Sequence, residues 1–107
     1  MHTDNNFVRM NVLAEHFEDL GDYQMAERII TGIVELLIQH FGTEDSRLIE
    51  PWLNLGLLAE AQGRTSDSLN FLEQARRLSV KHLDHAHWLY QEIVFHIGEL
   101  SSKPLIA

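Results

Sequence analysis

The chain repeats itself at an interval of 42 residues, and that period restricts the folds open to it more than any other feature. Shifted by 42 positions, Gly63 falls on Gly21, Leu55 on Leu13, Leu72 on Ile30, Leu78 on Leu36, His82 on His40 and Leu83 on Phe41. A period of about 20 to 50 residues marks stacked repeats, in which one unit cannot bury its apolar face alone and does so against its neighbours. The fullest copy is Trp52-Leu53-Asn54-Leu55-Gly56, followed by Gly63 and then by Ser68, Phe71, Leu72 and Ala75. Each unit reads as helix, glycine-containing turn, helix.

Helical spacing of the apolar residues supplies the elements. Phe7, Met10, Leu13, Ala14 and Phe17 share one face of a first helix, for which Asp4, Asn5 and Asn6 are candidate N-caps and Gly21 the stop. Asp22 is placed to cap a second helix over 23–41, with Tyr23, Ala26, Ile29, Ile30, Ile33, Leu37 and Phe41 inward. Val34, Leu36 and Ile38 widen that stripe beyond what one neighbour covers, so its outer part is expected to meet another helix, another chain or a partner. A third helix starts at Ser46 or nearer Glu50, since Pro51 fits a first turn, and runs to about Gln62. Its inward set is Leu48, Trp52, Leu55, Gly56 and Ala59, and a glycine inside a helix predicts close approach by another helix. The fourth helix, 66–83, turns Ser68, Leu72, Ala75, Leu78 and Ser79 inward. The fifth, 88–101, has Leu89, Ile93, Val94, Ile97 and Leu100 as its stripe and stops before Lys103-Pro104.

The 107 residues, 45% hydrophobic and 22% charged, suit one globular domain. Eight Lys and Arg stand against 16 Asp and Glu, a net charge of −8. That balance argues against a nucleic-acid or anionic-membrane surface, both of which are held by basic clusters, and favours a basic partner. Without cysteine there is no disulfide, thiolate nucleophile or Cys-ligated zinc. The amino end lacks the apolar core of a secretory signal and no run is long enough to span a membrane, so a cytoplasmic protein is expected.

Trp52-Leu53-Asn54-Leu55-Gly56, Gly63 seven residues on, and a small residue five further (Ser68, or Ala26 in the first unit) resemble the tetratricopeptide repeat. Ala59 and Ser68 replace the usual aromatic and alanine, and the first unit has Met10 for the tryptophan. The period of 42 rather than about 34 is similar to the longer repeats of the kinesin-light-chain type. The units are 7–41, 47–83 and a lone helix at 88–101. The resemblance implies an all-α, right-handed superhelix of antiparallel helix pairs, five helices in one domain, whose first helices line a concave groove for peptides. It places Asn11, Glu15, Glu18 and Asp19, then Leu53, Asn54, Leu57 and Glu60, then Glu92, Phe95, His96 and Glu99 on that groove. An acidic lining with an apolar middle suits a basic or amphipathic segment. Some family members grip a C-terminal carboxylate with groove Lys and Arg, which this lining lacks.

The expected function is therefore a non-enzymatic adaptor without a cofactor, with a sensor of a short signalling peptide as the alternative. His82, His85 and His87, with Asp84 among them, are the only cluster with the look of a metal site. A helix-end and loop role suits them better, because nothing fixes their directions. The carboxylates lack a nucleophile or phosphate loop beside them and read as a solvated acidic face. Trp52 reads as packing, and Trp88 as core or interface. The fifth helix lacks the helix that would cover its far side, which predicts a homodimer through that helix or the outer second helix.

Overall fold

A computed structural model describes residues 2–102 of the chain, with side chains from residue 6. Every regular element among them is helical. The first helix, α1 (His2–Asp19), begins upstream of the expected start. Asp4, Asn5 and Asn6 thus lie within it rather than capping it, since the free N–H groups of a first turn can equally be taken up by water.

Two turns of the same construction join the helix pairs. After α1, Gly21 adopts φ 80°, its N–H bonds to the Glu18 carbonyl at 2.9 Å, and the Asp22 N–H reaches back to Phe17 at 2.8 Å. After α3 (Ile49–Ala61), Gly63 has φ 76°, bonding to Glu60 at 3.0 Å, with Arg64 N–H to Ala59 at 2.9 Å. This six-to-one closure needs a left-handed residue, which glycine supplies without a Cβ clash. Asp22 then caps α2 (Tyr23–Phe41) by accepting from Met25 N–H at 3.1 Å, as its position predicts.

Asp45 accepts from Arg47 N–H at 2.9 Å and starts a single 3-10 turn, Ser46–Leu48, that leads directly into α3. Pro51 sits in the first turn of α3, where its missing N–H has no helical partner to lose. The second pair is completed by α4 (Thr65–His82), and α5 (Trp88–Ser101) follows, its first turn capped by His87 Nδ1 accepting from Leu89 N–H at 3.1 Å.

Each helix packs on the next in the chain, the pattern of stacked helical hairpins. Apolar residues of all five merge into one core, from Ala14 through Ile30, Ile33, Leu55 and Leu72 to Ile93 and Leu100. The α3–α4 contact is tight at Gly56. A Cβ there would lie 2.7 Å from Leu72 Cγ, and Ser68 Oγ donates to the Gly56 carbonyl at 2.7 Å. The glycine therefore does what its mid-helix position predicted. Between units, the Arg64 guanidinium pairs with the half-buried Glu27 carboxylate, which also accepts from Gln62 Nε2 at 3.0 Å.

Three expectations change. Leu13, assigned to the inward stripe of α1, is 47% exposed, whereas its counterpart Leu55 is 1% exposed. Leu55 has the second helix of the preceding unit beside it, and α1 has none among the described residues. Val94 is likewise 40% exposed rather than inward, since no helix follows α5 among the described residues. The wide stripe of α2 is largely covered within the chain: Val34 is buried and Ile38 half-buried because α2 lies between α1 and α3, leaving Leu36 and Phe41 exposed.

Candidate peptide-binding groove

Helix α3 packs against α2 and α4 and meets α5 through Glu60, and this decides which of its residues can meet a ligand. Ile49, Pro51, Leu53, Leu55, Gly56, Leu58 and Ala59 are buried. Trp52 stacks on Phe71 of α4 at 6.0 Å, and Glu60 faces His96 of α5. What remains is a strip of Glu50, Asn54, Leu57 and Ala61, spaced four, three and four residues apart along one helical face. Leu53, expected as an apolar groove anchor, is instead only 3% exposed. It stands two turns before Glu60 on the same face and is part of the core, in one cluster with Ile93 of α5. The apolar middle of the groove is thus Leu57, half-buried with one side against the core.

Between α1 and α3, over a floor supplied by α2, two adjoining clefts of about 450 and 330 Å³ share Asn11, Glu15 and Asn54. Phe7, Val8, Ile33, Leu37 and Pro51 form the apolar part of the larger cleft, with Arg47 and Glu50 at its rim. The smaller one adds Ala14, Glu18, Asp19 and Ile30. Five of the expected groove residues, Asn11, Glu15, Glu18, Asp19 and Asn54, therefore come together. The two amides stand on opposite helices, and each offers both donors and an acceptor, the set an extended peptide backbone requires.

The carboxylates set the charge of the cleft. Glu18 has its carboxyl pushed above the usual glutamate range, first by partial burial and then by the neighbouring charges of Asp19 and Glu15. Crowded anions of this kind are relieved by a cation. Glu50 was not assigned to the groove, although its place one turn before Asn54 on the exposed strip was there to be read. Arg47 corrects the expectation of a lining without basic residues. It comes from the 3-10 turn rather than from a groove helix, and it is already engaged, Nη1 donating to Asp45 Oδ2 at 3.2 Å and the guanidinium lying 3.9 Å from the centre of the Phe41 ring.

The remaining expected residues gather at the α3–α5 junction. His96 Nδ1 stands 3.4 Å from Glu60 Oε1, and its Nε2 stands 3.9 Å from Glu92 on its own helix. Both carboxylates are thus turned toward the imidazole as much as toward a ligand. Glu99 is exposed, and Phe95, at 60% exposure, lies on the outer side of α5, away from the α1–α3 clefts.

The three histidines of the 82–87 segment go to separate partners. A ring nitrogen of His82 bonds to the Glu44 carbonyl oxygen at 2.6 Å, His85 stacks on Tyr90 at 4.6 Å, and His87 caps α5. Among the described residues no group of three His, Asp or Glu is placed to hold a metal ion. Glu44 meanwhile anchors the connector to α4. Arg77 donates to it at 2.7 Å, and with Lys81 holds its carboxyl below the ordinary glutamate range. No helix among the described residues is long and apolar enough to cross a membrane.

A family model described as the tetratricopeptide repeat matches residues 7–81. No curated protein matches the chain.

Proposed function

Because the chain belongs to the tetratricopeptide repeat family, we propose that it is a non-enzymatic protein-interaction module whose acidic cleft takes a basic or amphipathic segment of a partner. The observation that carries this reading is the cleft between α1 and α3. Glu15, Glu18, Asp19 and Glu50 surround an apolar floor of Phe7, Ile33, Leu37 and Pro51, with Asn11 and Asn54 facing across it. Apolar side chains of a bound segment sit on the floor, its cationic groups meet the rim, and the amides hold its backbone. Leu57, Glu60, Glu92, His96 and Glu99 extend the same surface toward α5, and Phe95, on the outer side of that helix, does not. The spacing of 42 residues supports a likeness to the longer repeats of the kinesin-light-chain type, read as units 7–41, 47–83 and 88–101, and a cytoplasmic setting fits this reading. Self-association as a homodimer belongs to it as well, supported by the uncovered apolar side of α5.

The test uses a fluorescently labelled synthetic peptide alternating Lys and Leu, titrated by anisotropy against one alternating Glu and Leu. The Lys peptide binds, more weakly as salt rises, and the Glu peptide does not. Glu15→Lys with Glu18→Lys, both on exposed positions, lowers affinity by about tenfold or more while the melting temperature stays within a few degrees. Equal binding of the two peptides, or indifference to the double reversal, would sink the groove assignment.

The size of the larger cleft supports a second reading. About 450 Å³ lies within the range of small-ligand sites, which suits a regulatory domain sensing a short signalling peptide. A sensor binds such a peptide free in solution as tightly as within its parent protein, whereas an adaptor binds the folded partner more tightly.

A further inference from the structure

The connector before α3 shows how this chain holds a guanidinium. Arg47 lies 3.9 Å from the centre of the Phe41 ring, and its Nη1 donates to Asp45 Oδ2 at 3.2 Å. The negative face of an aromatic ring attracts the cation, and a carboxylate takes up its N–H groups, so both attractions act on one planar group. Ring and acid stand four residues apart in the sequence.

Helix α5 presents the same two ingredients at the same interval, twice. Trp88 is followed by Glu92, and Phe95 by Glu99. Residues four apart are neighbours on a helix surface, and residues seven apart return to nearly the same side. The four therefore form one strip of ring, acid, ring, acid. Trp88 is 59% and Phe95 60% exposed, and Glu99 is exposed with them. His87 stacks on Trp88 at 6.1 Å between ring centres and so takes one face of the indole. Glu92 Oε1 lies 3.9 Å from His96 Nε2, too far for a hydrogen bond. A purely apolar partner would bury both carboxylates unpaired, at a large cost. A cationic partner uses the acids, and a guanidinium uses the rings as well. Lysine is the poorer occupant, because its ammonium is a strongly hydrated point charge without a planar fork. The two ring–acid pairs are about 10 Å apart along α5, at 1.5 Å per residue, and a second helix laid beside it repeats that distance between its own residues seven apart.

We infer that this strip of α5 docks a helix of a partner protein through two arginines seven residues apart, each guanidinium set between a ring and a carboxylate as Arg47 is between Phe41 and Asp45. The surface is separate from the α1–α3 cleft and goes beyond the proposed function. It shares Glu92 and Glu99 with the edge of the groove surface, whereas both rings lie outside that surface. Val94, on another side of α5, is not part of it.

The experiment titrates the full chain against labelled, alanine-rich helical peptides and reads fluorescence anisotropy. One peptide carries two arginines seven residues apart, one carries them five apart, and two replace them at the seven-residue spacing by lysine or by citrulline, which keeps the shape and loses the charge. The seven-spaced arginine peptide binds, about threefold or more tighter than its lysine counterpart. Five-residue spacing turns the second guanidinium to another side of the peptide helix, and it abolishes binding, as citrulline does. Trp88→Leu and Phe95→Leu each weaken the arginine peptide by about two- to fivefold, with little change in melting temperature because both positions are exposed. Glu99→Gln weakens it through the carboxylate and serves if an aromatic variant loses structure. In a nitrogen-edited spectrum the indole N–H signal that is lost in Trp88→Leu moves during the titration, and that of Trp52 does not. An arginine peptide that fails to bind overturns the inference. So does equal affinity for the lysine peptide, or an affinity unchanged in the Trp88→Leu, Phe95→Leu double variant. The Lys/Leu peptide binds that double variant as it binds the wild type, since neither ring lies in the cleft, so the two readings fail separately.

Discussion

Replacing Gly56 by alanine puts a methyl group where Leu72 already is. The new carbon would lie 2.7 Å from both Cγ and Cδ2 of Leu72 and 3.5 Å from the Ser68 carbonyl oxygen, against about 3.5–4.0 Å for a relaxed carbon pair. Leu72 cannot swing away, since it is fully buried and the conflict involves its branch point as well as its tip. Relief requires α4 to move outward, a small-to-large change that costs about 1–3 kcal/mol. The same movement stretches the buried bond from Ser68 Oγ to the Gly56 carbonyl, worth up to about 1 kcal/mol more. Alanine returns about 1 kcal/mol through its better helix propensity. The balance is a loss of up to about 3 kcal/mol.

Gly32, inside α2, supplies the control. An alanine there gains the same propensity term, and its methyl lies 3.6 Å from Met10 Cε, an ordinary contact. Gly32→Ala should therefore stabilise by up to about 1 kcal/mol. The propensity term cancels between the two substitutions, leaving about 1–4 kcal/mol of packing and buried hydrogen bonding, or a separation of roughly 4 °C or more in melting temperature for a chain of this size. Far-UV circular dichroism, in thermal and urea melts on each variant, reads it directly. Leu72→Ala added to Gly56→Ala should give less than the sum of the two single losses, since each removes one side of the same conflict. Equal shifts for the two glycines, or strict additivity with Leu72→Ala, would refute the close-packing account of Gly56.

The ends of the stack and the crowded acids give two more expectations. Leu55→Asp should prevent cooperative folding while Leu13→Asp leaves melting nearly unchanged, because the same position is 1% exposed in one unit and 47% in the other; similar losses for both in parallel melts would mean α1 has a partner over Leu13. Glu18 has a raised carboxyl pKa in the fold, so between its ordinary and raised values the native chain holds more proton than the unfolded one, and stability from this group falls as pH rises through that window. Glu18→Gln should then melt higher than wild type at neutral pH, with the advantage vanishing as pH drops below the ordinary glutamate range; an advantage that grew with acid would reverse the sign and discard the crowding argument.

Much of the fold could be read from spacing because repetition supplies its own cross-check. Gly21 and Gly63 form the same closed turn, Asp22 caps the helix it precedes, and Ser68, Leu72, Ala75, Leu78 and Ser79 are all buried as their helical spacing required. What could not be read concerns neighbours rather than elements. Leu13 and Leu55 have the same residue type at the same register, yet opposite exposure, because only Leu55 has a helix on the upstream side. Leu53 looks like a groove residue until its side chain is seen to join the core, and Arg47 enters the cleft from a turn that no helical periodicity describes.

The same reasoning bears on which surfaces are left for partners. In a stack of pairs, each first helix has one side for its own second helix, one for the unit before, one for the first helix after it and one for the groove. Helix α3 has α2 and α4 packed on it and Glu60 against α5, and its free strip of Glu50, Asn54, Leu57 and Ala61 is polar at two of four positions. Helices α1 and α5 each lack the helices on their outward sides among the described residues, and there the exposed residues turn apolar: Val8, Val12 and Leu13 on one, Trp88, Val94 and Phe95 on the other. A groove that draws its ligand by charge and is wetted between encounters needs few exposed apolar groups, whereas a face awaiting a packed helix needs them. The change from polar to apolar exposure between the middle helix and the two end helices therefore accords with two contacts proposed above, an exchangeable segment at the groove and self-association at an end.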